Sequence, residues 1–265
     1  MEIIAKISKG SKMDQIYLPK QRAILNIGEY AVITPLHREK EKKDEKLYFY
    51  GIKDIEPIKL EIISRIISII ESNIDYENII VTGSFLNKGF NFNDIDLLIL
   101  TEEDESQGKT IQKRIEEKLK INTHLILLSD SSFKKALEID PVWRMITSKS
   151  ISKRRIPPLP RIKLDYKYLD AQLIKSKTLI DNFDNLYGKD KYKLIRNAVA
   201  IYLFIHNKPI SDAWIEKEIL KELGTTAEDL KNNLIGKNIS GKYRTFHLRL
   251  EREVIENATK QEKAH

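Results

Sequence analysis

The chain has no cysteine. That absence excludes a disulfide framework and any zinc site built on thiolates. Nor does any apolar run reach the length needed to span a bilayer. The opening segment MEIIAKISKGSKMDQ carries neither the apolar core nor the small-residue cleavage site of a secretory signal. No membrane association is expected, and a cytoplasmic location is the natural reading. Tryptophan occurs only as Trp143 and Trp214, which read as core or interface residues. Also missing are a Walker phosphate loop, a dinucleotide fingerprint, zinc-ligand spacing, a nucleophile elbow and any repeat of fixed period.

What is present is ample apolar material and a surplus of positive charge. The 265 residues suffice for one large domain or two to three small ones. Hydrophobic residues at 41% can build real cores, and charged residues at 32% argue for a soluble chain. A formal net charge of +7 and a pI near 9.2 suit an anionic partner such as nucleic acid or a nucleotide. Lysines scattered over a solvated surface would give the same balance.

Three blocks separate by pattern, which predicts an α+β multidomain chain. Residues 1–52 read as a small β-domain with strands over EIIAKIS, QIYLP, YAVITPL and KLYFYGI, broken at Gly10, Pro19, Gly28 and Pro35. A helical turn is expected over KQRAILNI, and the charge run HREKEKKDEK (37–46) reads as an exposed loop. Residues 53–150 alternate helices and strands, the signature of an α/β layer. There Pro57 can open a helix whose Ile62, Ile66, Ile69, Ile70 and Ile74 share one face. Strands NIIVTG and DIDLLILT follow, then a helix over GKTIQKRIEEKLK, strand INTHLILL, and a helix over FKKALEID capped by Ser131 or Ser132. The proline-rich SKRRIPPLPRIK (152–163) predicts an extended linker. Residues 164–265 then read as a helical domain, with helices over 165–186, 192–206, 212–223, 227–234 and 241–258. Ser211 is a candidate N-cap, and Thr225 with Glu228 has capping-box spacing.

The chemistry concentrates in IIVTGSFLNKGFNFNDIDLLILT, residues 79–101. Asp94 and Asp96 stand at i and i+2 on a predicted strand, so both side chains leave the same face. Two strand steps separate their Cα atoms by about 6–7 Å. Carboxylates so placed can converge on magnesium, which prefers oxygen ligands and shares them with substrate phosphates. Two unpaired aspartates buried at a strand's start would be costly, so a cation or a solvated cleft is expected beside them. Across the loop, Gly83 allows close backbone approach to a ligand, and Ser84 adds a hydroxyl and an amide for phosphate oxygens.

On these residues the segment from 57 to about 150 resembles the nucleotidyltransferase superfamily of DNA polymerase β, especially its minimal archaeal and bacterial members. The match lies in Gly83, Ser84, Asp94 and Asp96 within VTGSFLNKGFNFNDIDLLIL. The resemblance implies a mixed sheet flanked by helices, a magnesium ion (manganese as a substitute), and transfer of a nucleotidyl group from a nucleoside triphosphate. It makes Asp94 and Asp96 metal ligands and Gly83 and Ser84 the triphosphate grip. The acceptor would be a hydroxyl of a protein, a nucleic acid or a small molecule. One departure stands out: the family's third carboxylate is expected on INTHLILL, whose matching face carries Asn122, His124 and Ile126. His124 stands in its place as a candidate catalytic base, imidazole being the side chain whose charge changes near neutral pH. It would otherwise fill a polar cleft or bind ligand without catalysis.

The first block, with Ser8-Lys9-Gly10, IYLPK and LNIGEY, resembles swapped-hairpin domains of the AbrB/SpoVT type, although SKMDQ lengthens the usual spacing. That resemblance implies homodimerisation by hairpin exchange and DNA binding through Lys6, Lys9, Lys12, Lys20 and Arg22 on phosphates. A small dimerisation domain alone is the plainer alternative. It also admits a non-catalytic DNA-binding regulator or an antitoxin-like protein on a degenerate nucleotidyltransferase fold. A helical nuclease would place an arginine beside a histidine on one helix. Arg196 and His206 stand ten residues apart, roughly 80° out of register, which disfavours it. Arg244 and His247 do share a face, as solvated surface would.

Overall fold

Pro57 sets the helical φ at the first position of α1 (Pro57–Glu71) and opens it without a side-chain cap. This helix covers one face of the sheet in a computed structural model that describes residues 7–8, 15–16 and 46–262. The chain is an α+β protein with a mixed five-stranded sheet. Its strands are β3 (Tyr48–Tyr50), β4 (Asn78–Thr82), β5 (Asp94–Leu100), β6 (Asn122–Leu128) and β7 (Ser150–Ser152). They lie in the order β3-β7-β4-β5-β6, all antiparallel except the β5–β6 pair. That parallel pair needs a crossover, supplied by α2 (Glu105–Leu119), which Asp104 caps through the Ser106 and Gln107 amides.

Alternation along the strands fills two apolar layers. Ile79, Val81, Ile95, Leu97 and Ile99 join the α1 isoleucines and Ile111 and Ile115 of α2. Ile80, Leu98 and Leu100 face the other way, against Phe133 and Leu137 of α3 (Asp130–Ile139). Asp94 and Asp96 share the parity of Leu98 and Leu100, so they extend the α3-side face toward the start of β5.

The N-terminal block differs from its expected grouping. Strand Tyr48–Tyr50 pairs with β7 in the central sheet, because Leu47 and Ile52 pack into the α1 layer and Tyr50 into the α3 layer. Among the described residues ahead of it, β1 (Ile7–Ser8) and β2 (Gln15–Ile16) form an antiparallel pair. The expected strand YAVITPL, the helical turn at KQRAILNI and most of the charge run lie outside the described residues, as do Lys6, Lys9, Lys12, Lys20 and Arg22.

Three caps also differ from expectation. Ser129, not Ser131 or Ser132, caps α3 by accepting from the Ser132 amide. Asp140 then caps a further helix, α4 (Pro141–Ser148), with Pro141 at its first turn. In the C-terminal block Thr226, one residue past the expected Thr225, accepts from Asp229 N–H at the start of α8 (Ala227–Lys231). Ser211 holds the cap position of α7 (Asp212–Leu223) without a side-chain bond.

The C-terminal helices α5 (Tyr166–Asn182), α6 (Gly188–Ile205), α7, α8 and α9 (Ile239–Glu262) share one core. Every residue of α6 from 198 to 204 is buried, as its all-round apolar sequence requires. His247 is fully buried, its Nε2 2.9 Å from Ser176 Oγ, while Arg244 is exposed. These two therefore form neither a solvated surface pair nor a site. Met145 of α4 belongs to the same helical core, which seats the C-terminal block beside the sheet.

Candidate functional site

Thr82 ends β4 opposite Asp96, and its hydroxyl donates to the Ile146 and Lys149 carbonyls at 3.0 and 3.2 Å. The chain then turns at Gly83 with φ +82 and ψ −163, a region essentially reserved for glycine. A Cβ there would stand 1.9 Å from Asp96 Oδ2. The glycine is thus required twice, by its backbone angles and by the carboxylate lying against it. Ser84, exposed, starts a 3-10 turn (Ser84–Leu86) that buried Phe85 and Leu86 anchor.

The loop from 87 to 93 is held from beneath by a residue outside the glycine-serine and Asp-x-Asp motif. Lys59, fully buried on α1, donates to the carbonyls of Asn87 (2.5 Å) and Gly89 (2.6 Å) and pairs with Glu56 at 2.9 Å. Its ammonium also lies 5.4–6.0 Å from the ring centroids of Phe85, Phe90 and Phe92. Glu56 accepts from the Gly89 amide at 2.6 Å, and that bond, with Lys59 beside it, holds its carboxyl down to about 2. Lys149 reaches the loop from the other side, donating to Asn87 Oδ1 at 2.5 Å and standing 3.5 Å from Asp212.

Register brings the remaining candidates together. Asp94 pairs with Asn122 and Asp96 with His124 across the parallel β5–β6 ladder. His124 Nδ1 lies 3.3 Å from Asp96 Oδ1. If Nδ1 donates to that oxygen, Nε2 is left as the accepting nitrogen. His124 is well exposed at 64% and Asp96 half-buried at 36%. Burial pushes the Asp96 carboxyl above its ordinary range; the His124 hydrogen bond opposes that shift, and the charge of Asp94 adds to it. The charge of Lys193, on α6, also favours the charged carboxylate, though less than the other causes.

Gly83, Ser84, Asp94, Asp96 and His124 are therefore gathered at one end of the sheet. Among the described residues, no group of three or more His, Asp and Glu side chains could hold a metal by itself. The available donors are two carboxylates, a hard oxygen set. Such a set fits a magnesium ion that completes its shell with water and phosphate oxygens. The raised carboxyl of Asp96 fits the same reading, since a cation would offset the burial of its charge, the main cause, and then its repulsion with Asp94. Compared with known proteins, the chain matches no family model and no curated protein.

Lys59, Glu56, Lys149 and Lys193 are the additions to the site. Lys59 had a signal in the sequence, since it lies three and four residues before Ile62 and Ile63 on the apolar stripe of α1. Lys149 and Lys193 had none: the pairing of β7 with β4 brings Lys149 to the loop, and Lys193 belongs to α6 of the helical block.

Proposed function

We propose that the chain is a magnesium-dependent nucleotidyltransferase of the DNA polymerase β-like class, moving a nucleoside monophosphate from a triphosphate to a hydroxyl acceptor. One observation carries this reading: the Asp96 carboxylate lies against the α-carbon of Gly83, so this acid and the glycine-serine bend meet in one notch at the end of the sheet. Asp94 and Asp96 would hold the magnesium (or manganese) ion, whose charge offsets that of the triphosphate. The Ser84 hydroxyl and amide would take phosphate oxygens, and the Gly83 backbone would admit them closely. His124, turned by Asp96, would accept the proton of the attacking hydroxyl at Nε2. Rate would come from positioning and from charge compensation.

The test is pyrophosphate release and self-labelling with each of the four nucleoside triphosphates in magnesium or manganese. D94N and D96N should each lower turnover at least about 100-fold, and H124N should lower it while leaving triphosphate binding intact. Absence of triphosphate binding at high magnesium would end the proposal.

A second reading is favoured by the histidine in place of a third carboxylate. In it the fold is a non-catalytic nucleotide sensor or scaffold attached to an AbrB-like, dimerising, DNA-binding N-terminal domain. Nucleotide binding without turnover, together with DNA affinity lost on removal of residues 1–45, would select it.

A further inference from the structure

The turn leaving β7 carries two consecutive arginines, and hydrogen bonds fix it on several sides. Lys153 N–H donates to the Ile79 carbonyl at 2.9 Å, carrying the ladder one residue past β7. Buried Asn78 brackets Arg154: its Nδ2 donates to the Arg154 carbonyl at 3.0 Å and its Oδ1 accepts the Arg154 N–H at 2.8 Å. The Ser152 hydroxyl donates to the same carbonyl at 2.6 Å, and Ile156 N–H donates to the Tyr50 phenol at 2.8 Å. So held, the backbone presents Arg154 and Arg155 to solvent.

Each guanidinium lies over an aromatic ring. Arg154 stands 5.3 Å from the Tyr76 centroid, and Arg155 stands 5.9 Å from that of Tyr48, which Lys46 also approaches at 5.7 Å. Lys153 in the same turn is paired with Glu71 at 3.2 Å, but among the described residues no carboxylate forms an ion pair with either arginine. A guanidinium resting on a ring keeps its N–H edge free for phosphate oxygens and its outer face free for stacking. Two such pairs, on consecutive residues of a pinned turn, match successive phosphates with an unpaired base between them.

We propose that this turn, with Arg154, Arg155, Tyr48 and Tyr76, is a binding surface for single-stranded nucleic acid. A duplex keeps its bases paired and offers only phosphates here, so the stacked planes favour the single strand. The surface lies apart from the notch. Arg154 sits beside Asn78 at the start of β4, whereas Gly83 follows its end, about 16 Å along the chain. It does not depend on the nucleotidyl-transfer reading.

The test is fluorescence anisotropy of a labelled oligouridylate with the full chain, without nucleotide and with divalent ions chelated. Failure of this surface and failure of the transferase reading are then read separately. The native chain should bind with affinity falling linearly in log salt. R154A/R155A, melting at the same temperature, should bind roughly tenfold more weakly, with a log–log salt slope shallower by about 1.4. R154K/R155K should keep the slope and still lose affinity several-fold, since lysine cannot stack. Absence of binding, an unchanged affinity in the alanine variant, or a lysine variant equal to the native chain would overturn the proposal. So would a blunt duplex that binds as tightly and loses as much.

Discussion

At the scale of single residues, Asp96 sets stability against chemistry. Burial and the neighbouring Asp94 raise its carboxyl in the folded chain above the ordinary value of 3.8. A carboxyl raised on folding means that the native state binds more protons than the unfolded one over that interval. Asp96 therefore subtracts stability at neutral pH, and the loss is recovered as pH falls through the raised value toward 3.8. The substitution D96N would remove the charge and keep a carbonyl oxygen for the His124 ring. In chelator at neutral pH, D96N should melt higher than the native chain by about 2 °C, with the gap closing on acidification. Magnesium with triphosphate should stabilise the native chain alone and narrow the gap from the other side. A D96N chain that melts no higher at neutral pH contradicts the strained-carboxylate account. Gly83 makes the complementary case: G83A must accept a positive φ and clear Asp96 Oδ2, so it should lose both stability, about 1–3 kcal/mol, and nucleotide binding.

At the scale of elements, the informative unit is the loop between β4 and β5 together with α1 beneath it. Lys59 satisfies two loop carbonyls and Glu56 from a fully buried position. Removing the ammonium leaves the two carbonyls without this donor and Glu56 without its counter-charge, so K59M should cost about 3 kcal/mol or more in urea denaturation. Because Glu56 is held near 2 against 4.5 ordinarily, its contribution is present above 4.5 and fades as pH falls toward about 2. E56Q should flatten that acid limb, and K59M/E56Q should cost less than the two single changes added. The same unit measures how far the sequence could be read. Apolar runs gave β4, β5 and β6, and the spacing of Gly83-Ser84 and Asp94-x-Asp96 gave the acids and the bend before their contact was known. The isoleucine stripe gave α1, but it drew attention away from the lysine that shares the stripe. Strand β7 was invisible, since SIS offers one isoleucine between two serines whose burial depends on hydroxyl bonds to Thr147 and Arg154 carbonyls. Helix α4 went unread because Asp140-Pro141 looks like an ending, although here the aspartate caps and the proline starts.

At the scale of the whole molecule, what matters is how the helical block is held against the sheet, for Asp212 of α7 stands 3.5 Å from Lys149, which holds the loop. Residues far apart in sequence do this, so no local pattern announces it. Arg144 of α4 donates through Nε to the Leu137 carbonyl and through Nη2 to the Pro160 carbonyl, each at 2.6 Å. Its guanidinium lies 5.4 Å from the Phe204 ring of α6. One side chain thus joins α3, the extended linker and the helical core. The Tyr168 hydroxyl of α5 donates to Asp140 at the cap of α4, and burial with that carboxylate pushes the phenol up to about 12, so it remains a donor throughout the usual pH range. The two tryptophans report on the two sides: Trp143 packs edge-on to Phe133 beneath the sheet, and Trp214 lies on α7. In W143F and W214F backgrounds, denaturation of the native chain should give coincident transitions. R144M keeps apolar volume but leaves two carbonyls without a donor, at a cost of about 3 kcal/mol. With the tie cut, the Trp214 and Trp143 transitions should separate, and triphosphate turnover should fall because the helical block no longer sets Asp212 against Lys149 at the loop. Coincident transitions in R144M would mean that apolar contact around Met145 alone joins the two sides, and the polar tie would then have no part in holding the notch together.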